Sequence, residues 1–221
     1  MSLTANIVGA TGLVGMHLVH ELLADDRFTK IRVFVRRTTA IVDPKLEEHI
    51  IDFNDYDSWK GLITGDVLFS ALGTTLQNAG SKSAQYKVDY HYQYDAAYAA
   101  KTNKVPTYVL VSAPGAKPDS PIFYNRMKGH LDRDVKKLGF KHLHIIKPGL
   151  LSGRTTESRP AERIGAILLG FISWIPGLSV LRPISGETVA KAMINAVFLE
   201  ETFSDHSLKG VFKLAENDKP T

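Results

Sequence analysis

Within residues 7–15 (IVGATGLVG), glycines stand at positions 9, 12 and 15, where an apolar run gives way to a helical pattern. Ala5 to Val8 reads as a strand. Leu13, Val14, Leu18, Val19, Leu22 and Leu23 then fall on one broad face of a helix. Glycine at such a turn bends the chain, lets its backbone approach a bound group and lets the helix pack closely on the sheet. The N–H groups that open the helix are then aimed at an anion. A glycine triplet alone also marks ordinary tight turns. Between a strand and a helix it points to a dinucleotide pyrophosphate, with Gly9 and Gly12 against the phosphates.

The rest of the chain repeats this alternation. Strands are expected at 5–9, 31–36, 49–53, 66–72, 107–112 and 142–147, with a last short one at 210–214. Helices are expected at 13–24, 56–62, 83–102, 121–138 and 187–199. The strands are rich in Val, Ile, Leu and Phe with little polar alternation, as strands covered on both faces should be. This predicts an α/β chain, a Rossmann-type doubly wound parallel sheet, with ligands beyond the C-terminal strand ends. Residues 1–221 read as one NAD(P)-binding domain, with 150–186 as a small C-terminal substrate-pocket lobe.

Composition narrows the partners. The formal charge of +4 is spread without an aromatic-interleaved basic stripe, which argues against nucleic acid and fits an anionic cofactor and a small-molecule substrate. No cysteine is present, so disulfides, thiolate catalysis and cysteine-ligated metal are excluded. The histidines show no HExxH spacing, and no metal site is expected. His142 and His144 alternate along a strand as packing or surface residues. With no signal peptide ahead of the glycine motif, a cytoplasmic location is expected. Residues 164–181 hold no charge, at the lower limit for a membrane span, but Pro176 and Gly177 interrupt the run. A buried helix and loop over a pocket is the first reading and membrane contact the other. Oligomeric state stays open.

The second strand ends in Arg36 and Arg37, where an acidic residue would hold the ribose 2′-hydroxyl of NAD. Guanidiniums suit a 2′-phosphate through paired, charge-assisted hydrogen bonds, so NADP(H) is preferred over NAD(H). A solvated surface pair is the other reading, more so for Arg37. Asp52 and Phe53 end the third strand near an expected adenine. Asp52 suits the adenine amino group or an ordinary turn. Ala71, Leu72 and Gly73 follow the fourth strand as small residues that admit a cofactor, although any turn favours Gly73.

The chemistry gathers around Ser112, at the end of the fifth strand, and a helix capped by Ser120 with Pro121 as its first residue. Tyr124 and Lys128 are four apart on that helix and share a face beside its apolar stripe. A tyrosine is a poor base near neutral pH, and a nearby ammonium favours its phenolate. The same lysine can hold the nicotinamide ribose, while Tyr124 exchanges a proton with a substrate oxygen and Ser112 hydrogen-bonds it. A half-exposed tyrosine beside a solvated lysine is the alternative, since the spacing also arises by chance.

With these residues in place the chain resembles the atypical short-chain dehydrogenases/reductases. The likeness runs through GATGLVG at 9–15, the run ending in LVSA at 113, Tyr124-xxx-Lys128 and Lys147-Pro148-Gly149. Within them it is similar to the Tat-interacting-protein (HTATIP-like) oxidoreductase family, through LGTT at 72–75, AGS and KVD within 79–89, SAPGA at 112–116 and ESRPAE at 157–162. The resemblance implies NADP(H) binding with Ser112, Tyr124 and Lys128 as the catalytic group. It also implies cofactor contacts from Gly9, Thr11, Gly12, Leu13, Val14, Arg36 and Pro148. Two departures stand out: Asp89 occupies the position of a further catalytic Asn, and only about seventy residues follow the sixth strand, short for a nucleotide-sugar enzyme. The expected function is an NADP(H)-dependent oxidoreductase acting on a small carbonyl or alcohol. The alternative is an NADPH-binding regulatory or scaffold protein without turnover.

Overall fold

In the computed structural model, residues 2–152 and 183–217 are described. Strand β1 (Leu3–Val8) passes through the glycine turn into α1 (Leu13–Ala24), followed by β2 (Phe28–Val35) and β3 (Leu46–Ile50). A short helix α2 (Tyr56–Trp59) leads to β4 (Val67–Ser70), α3 (Leu76–Ala79) and α4 (Lys82–Tyr86). One wide π turn (Lys87–His91) joins α4 to α5 (Tyr92–Thr102), ahead of β5 (Thr107–Val111), α6 (Phe123–Lys137) and β6 (His142–Lys147). After β7 (Leu151–Ser152) and β8 (Ile184–Ser185) come α7 (Gly186–Ala196), β9 (Phe203–Ser207) and α8 (Lys209–Ala215).

Seven strands form one parallel sheet in the order β3-β2-β1-β4-β5-β6-β9, the doubly wound order with one strand added. The chain works outward from β1 to β3, then crosses back to place β4 on the other side of β1. The connections after β1 and β4 therefore diverge, which opens a crevice at the C-terminal ends of these two neighbours.

Burial explains the layers. Ile7 and Val8 are both inaccessible to solvent although they point to opposite faces of β1. One face packs Val14, Leu18 and Leu22 of α1 and Val189 and Met193 of α7; the other packs Trp59, Ala96, Ala100 and Leu131. Truncating a buried leucine such as Leu18 to alanine costs about 2–5 kcal/mol in such a setting. Helices α1 and α7 meet at Gly186, where a Cβ would stand 2.9 Å from the Leu13 carbonyl oxygen. β7 pairs in parallel with β8 and so brings together the two ends of the 150–186 lobe; its interior, with residues 164–181 and 157–162, lies outside the described residues.

Several sequence expectations are corrected. Residues 210–214 are helical, in α8, and the last strand is β9, whose residues alternate between exposed and half-buried. Its FSDHS sequence lacks an apolar run because β9 is an edge strand with little burial to satisfy. The third strand ends at Ile50, because Asp52 starts a turn in which its Oδ1 accepts from Asn54 N at 2.9 Å. The helix expected over 83–102 is divided by the π turn. Helix α6 starts at Phe123, not Pro121: Ser120 Oγ accepts from Ile122 N at 3.2 Å in a turn ahead of it, and no side chain caps the helix.

Candidate functional site

The glycine turn divides its labour. Gly9 has φ of +90°, and a Cβ there would lie 2.5 Å from the Ala71 carbonyl carbon. A Cβ on Gly15 would lie 2.0 Å from the Gly9 oxygen. These two glycines serve the packing of β1, α1 and the chain after β4. Gly12 differs. Its φ of −82° suits any residue, and a Cβ would meet nothing nearer than the Gly9 oxygen at 3.3 Å. It lies at the N-terminus of α1, which carries no side-chain cap, so the first-turn N–H groups are available to an anion. A pyrophosphate fits this cradle: the bare Gly12 backbone admits it and uncapped donors stand behind.

Two connected hollows open from Gly12. One, of about 500 Å³, is lined by Gly9, Thr11, Arg36 and the 71–74 backbone. The other, of about 250 Å³, is lined by Leu13, Val14, Ser112, Tyr124, Lys128 and Pro148, and shares Gly12 and residues 71–74 with the first. Together they form a groove across the crevice between β1 and β4. Residues far apart in sequence meet there, among them the glycine turn, Arg36 after β2, the ends of β4 and β5, the first turns of α6 and Pro148 after β6. Arg37 is exposed and does not line the groove. Asp52 is exposed in its turn, and Phe53 is buried in the core, stacked on Tyr92 at 5.1 Å. Both lie away from the groove.

The catalytic candidates differ in exposure. Tyr124 is 38% exposed and faces the opening, whereas Lys128 is 2% exposed. Lys128 Nζ donates to the Val111 carbonyl oxygen at 3.1 Å, which sets the ammonium at the floor of the smaller hollow. Ser112 is buried at its wall, and its Oγ has no hydrogen-bond partner among the described residues. Its hydroxyl lies close enough to the Asp132 carboxyl to favour the charged form there, and no well-aligned bond holds it back from a ligand atom.

Asp89 has a structural duty. Its Oδ2 accepts from Thr74 N at 2.9 Å, and Gln85 Nε2 donates to the Thr74 oxygen at 3.1 Å, so the π turn and α4 pin the loop that floors the groove. Gln85, Asn78 and Val88 are contributors that sequence reasoning missed. No local pattern marks them, since Asn78 on α3, Gln85 on α4 and Val88 in the π turn reach the site only through the tertiary fold. Asp132 and Lys147 were missed as well. Burial lifts the Asp132 carboxyl above the ordinary carboxylate range, against the pull of Ser112, Lys147 and Lys128. Burial would pull Lys147 down, yet its hydrogen bond with Asp205 and the charge of Asp132 hold it above the ordinary lysine range.

A family model described as NAD(P)H-binding matches residues 9–164. The chain belongs to the NAD(P)H-binding family. That match spans the glycine turn, the Arg36 strand, Ser112, Tyr124 and Lys128, so a nicotinamide dinucleotide is the cofactor class. Among its relatives, the mitochondrial protein fmp52-1 of Aspergillus terreus is 35% identical over 86% of this chain and 85% of its own length. The mitochondrial protein FMP52 of Candida albicans is 37% identical over the same shares.

Solved structures give the fold alone. A UDP-N-acetylglucosamine 4-epimerase from Methanobrevibacter ruminantium superposes with a TM-score of 0.69 at 15% identity, covering 96% of this chain and 80% of its own. The Bordetella bronchiseptica enzyme WbmH, in complex with NAD+, gives 0.69 at 15% identity over 94% and 75%. The cytoplasmic expectation is corrected by the relatives, which carry mitochondrial names at 35–37% identity. A glycine motif near the start of a sequence reports on the folded core and carries no information on compartment. Among the described residues no helix is long and apolar enough to cross a membrane.

Proposed function

We propose that the protein is a mitochondrial NADP(H)-dependent oxidoreductase of the short-chain dehydrogenase type, acting on a small carbonyl or alcohol. One observation carries the reading: Ser112, Tyr124 and Lys128 line a single hollow that is continuous, through Gly12, with the Arg36 end of the groove. The NAD(P)H-binding family match supports the cofactor class, and the mitochondrial names of the Fmp52 relatives support the compartment.

A nicotinamide dinucleotide held here would supply or accept the hydride. Gly12 and the opening turn of α1 would hold its pyrophosphate, and Arg36 would take a 2′-phosphate. Lys128, fixed from below by Val111, holds ribose hydroxyls, with Tyr124 one turn away on the same helix. In reduction, Tyr124 donates the phenolic proton to the substrate oxygen, and Ser112 donates a hydrogen bond to that oxygen. The exposure of Tyr124 leaves its hydroxyl within reach of a substrate entering from solvent.

A carbonyl panel followed by NADPH absorbance tests the reading. Tyr124→Phe should lower turnover by roughly 10²–10⁴-fold, the usual worth of general acid–base assistance, with NADPH affinity retained. Turnover indifferent to that substitution overturns the mechanism. Tight NADPH binding with no turnover across the panel favours the regulatory reading.

A further inference from the structure

A second cleft, of about 760 Å³, shares no lining residue with the dinucleotide groove and is larger than either of its hollows. Small-molecule sites commonly hold about 300–1,000 Å³. The π turn contributes to both: Val88 and Asp89 line the groove, whereas Lys87 and His91 line the second cleft. Its walls are rings. Tyr92 is stacked on buried Phe53 at 5.1 Å, and its hydroxyl donates to Asn54 Oδ1 at 2.9 Å. Asn54 Nδ2 donates in turn to Asp52 Oδ1 at 2.8 Å, so the Tyr92 ring is held both by its face and by its hydroxyl. Tyr56, Tyr86 and Phe123 complete the aromatic lining.

The charges in this cleft are not matched to one another. Lys82 Nζ lies 5.5 Å from the centre of the Phe123 ring, and Lys87 Nζ lies 5.8 Å from that of Tyr92. Neither forms an ion pair among the described residues, so each ammonium rests on a ring. Asp95, on α5 one turn past His91, is half-buried in the same lining and makes no hydrogen bond or ion pair among the described residues. Burial lifts its carboxyl above the ordinary carboxylate range, against the pull of His91. Lys87 and Asp95 are eight residues apart, on the order of 10 Å along the helical segment. A ligand that satisfies all of these groups carries an anion at one end, a planar ring, and an N–H donor at the other end.

We propose that this cleft binds a nucleoside monophosphate whose base carries an exocyclic amine. The base stacks on the Tyr92 ring, the amine donates to Asp95, and the phosphate lies between Lys82 and Lys87. Inorganic phosphate would engage the lysines alone. An aromatic carboxylate would leave Asp95 without a donor. The site is separate from the dinucleotide groove, and the proposal does not rest on the function assigned to that groove.

Calorimetry with AMP on the full chain, together with photolabelling by 8-azido-AMP and mass mapping of the labelled peptides, tests the site. The label should fall within residues 53–56, 82–95 or 123, and the Gly12→Val protein should bind AMP unchanged. IMP, which has a carbonyl in place of the amine, should bind at least tenfold more weakly than AMP, and Asp95→Ala should abolish that difference. The double variant Lys82→Gln, Lys87→Gln should weaken AMP at least tenfold and leave adenosine affinity unaltered. Both lysines are exposed, so this variant should fold. Label confined to 9–15 or 71–74, or loss of AMP binding in folded Gly12→Val, would mean that AMP occupies the dinucleotide groove and overturns the proposal. Equal affinities for AMP and IMP, inorganic phosphate binding as well as AMP, or no binding at millimolar AMP overturn it as well. If Asp95→Ala fails to fold, the AMP–IMP ratio of the unmutated protein and the lysine variant decide.

Discussion

Lys128 Nζ donates a 3.1 Å hydrogen bond to the carbonyl oxygen of Val111, the last residue of β5. The bond ties the second turn of α6 to the strand end under the cleft, and an ammonium has two further protons to offer. Lys128→Met keeps most of the buried stem and removes the donors. NADPH affinity measured by calorimetry should fall at least tenfold, about 1.4 kcal/mol. Stability should drop by about 1–3 kcal/mol, because the Val111 oxygen loses its partner. Unchanged affinity would place the dinucleotide away from this lysine.

The three glycines should separate by assay. Gly15→Ala puts a methyl 2.0 Å from the Gly9 oxygen and should lower the unfolding midpoint sharply or prevent folding. Gly12→Val stands in a backbone conformation open to any residue and should fold, while its branched side chain blocks the cradle and abolishes dinucleotide binding. A folded Gly12→Val protein that binds NADPH normally would refute the phosphate assignment.

Cofactor preference should follow Arg36, which lines the larger hollow, and not Arg37, which lies outside it. NADPH should bind at least tenfold tighter than NADH, and Arg36→Asp should erase or reverse the ratio, whereas Arg37→Asp should leave it nearly intact. Equal affinities in the unmutated protein would end the NADP preference.

Acid stability should report on His144. Burial, then the charges of His142 and His206, push its imidazole down to about 4, while in the unfolded chain it titrates near the ordinary histidine value of about 6.5. The unfolded state therefore binds more protons between these values. The stability contributed by neutral His144 is complete above pH 6.5 and is lost as pH falls toward 4, up to about 3 kcal/mol. Urea unfolding at pH 7 and pH 4.5 should show this loss, and His144→Gln should flatten it. A slope identical in the two proteins would mean that other groups carry the acid sensitivity.

What could be read along the chain was what lies within a turn or two of itself. The β1–turn–α1 unit was legible because its apolar residues follow strand and helix periods on either side of the glycines. Tyr124 and Lys128 were placed on one helix face by their spacing alone, and the parallel sheet followed from strands without polar alternation. The edge strand β9 was not legible, since pairing with β6 on one side needs no apolar run. Nor was the π turn, which brings Asp89 to Thr74 N and shifts α5 relative to α4.

The amino-acid sequence by itself thus determined the alternation of strands and helices from β1 to β6 and the glycine turn with its helix N-terminus, because these depend on local backbone preference and periodicity. Tertiary structure alone decided that Gly9 and Gly15 serve packing while Gly12 opens the groove, since that depends on how near Ala71 and Gly9 approach across the sheet. It also decided that Lys147 bridges Asp132 and Asp205, although the three come from a helix and two strands. Charges act through space, and in a dry interior that distance, not separation along the chain, sets which of them act on one another.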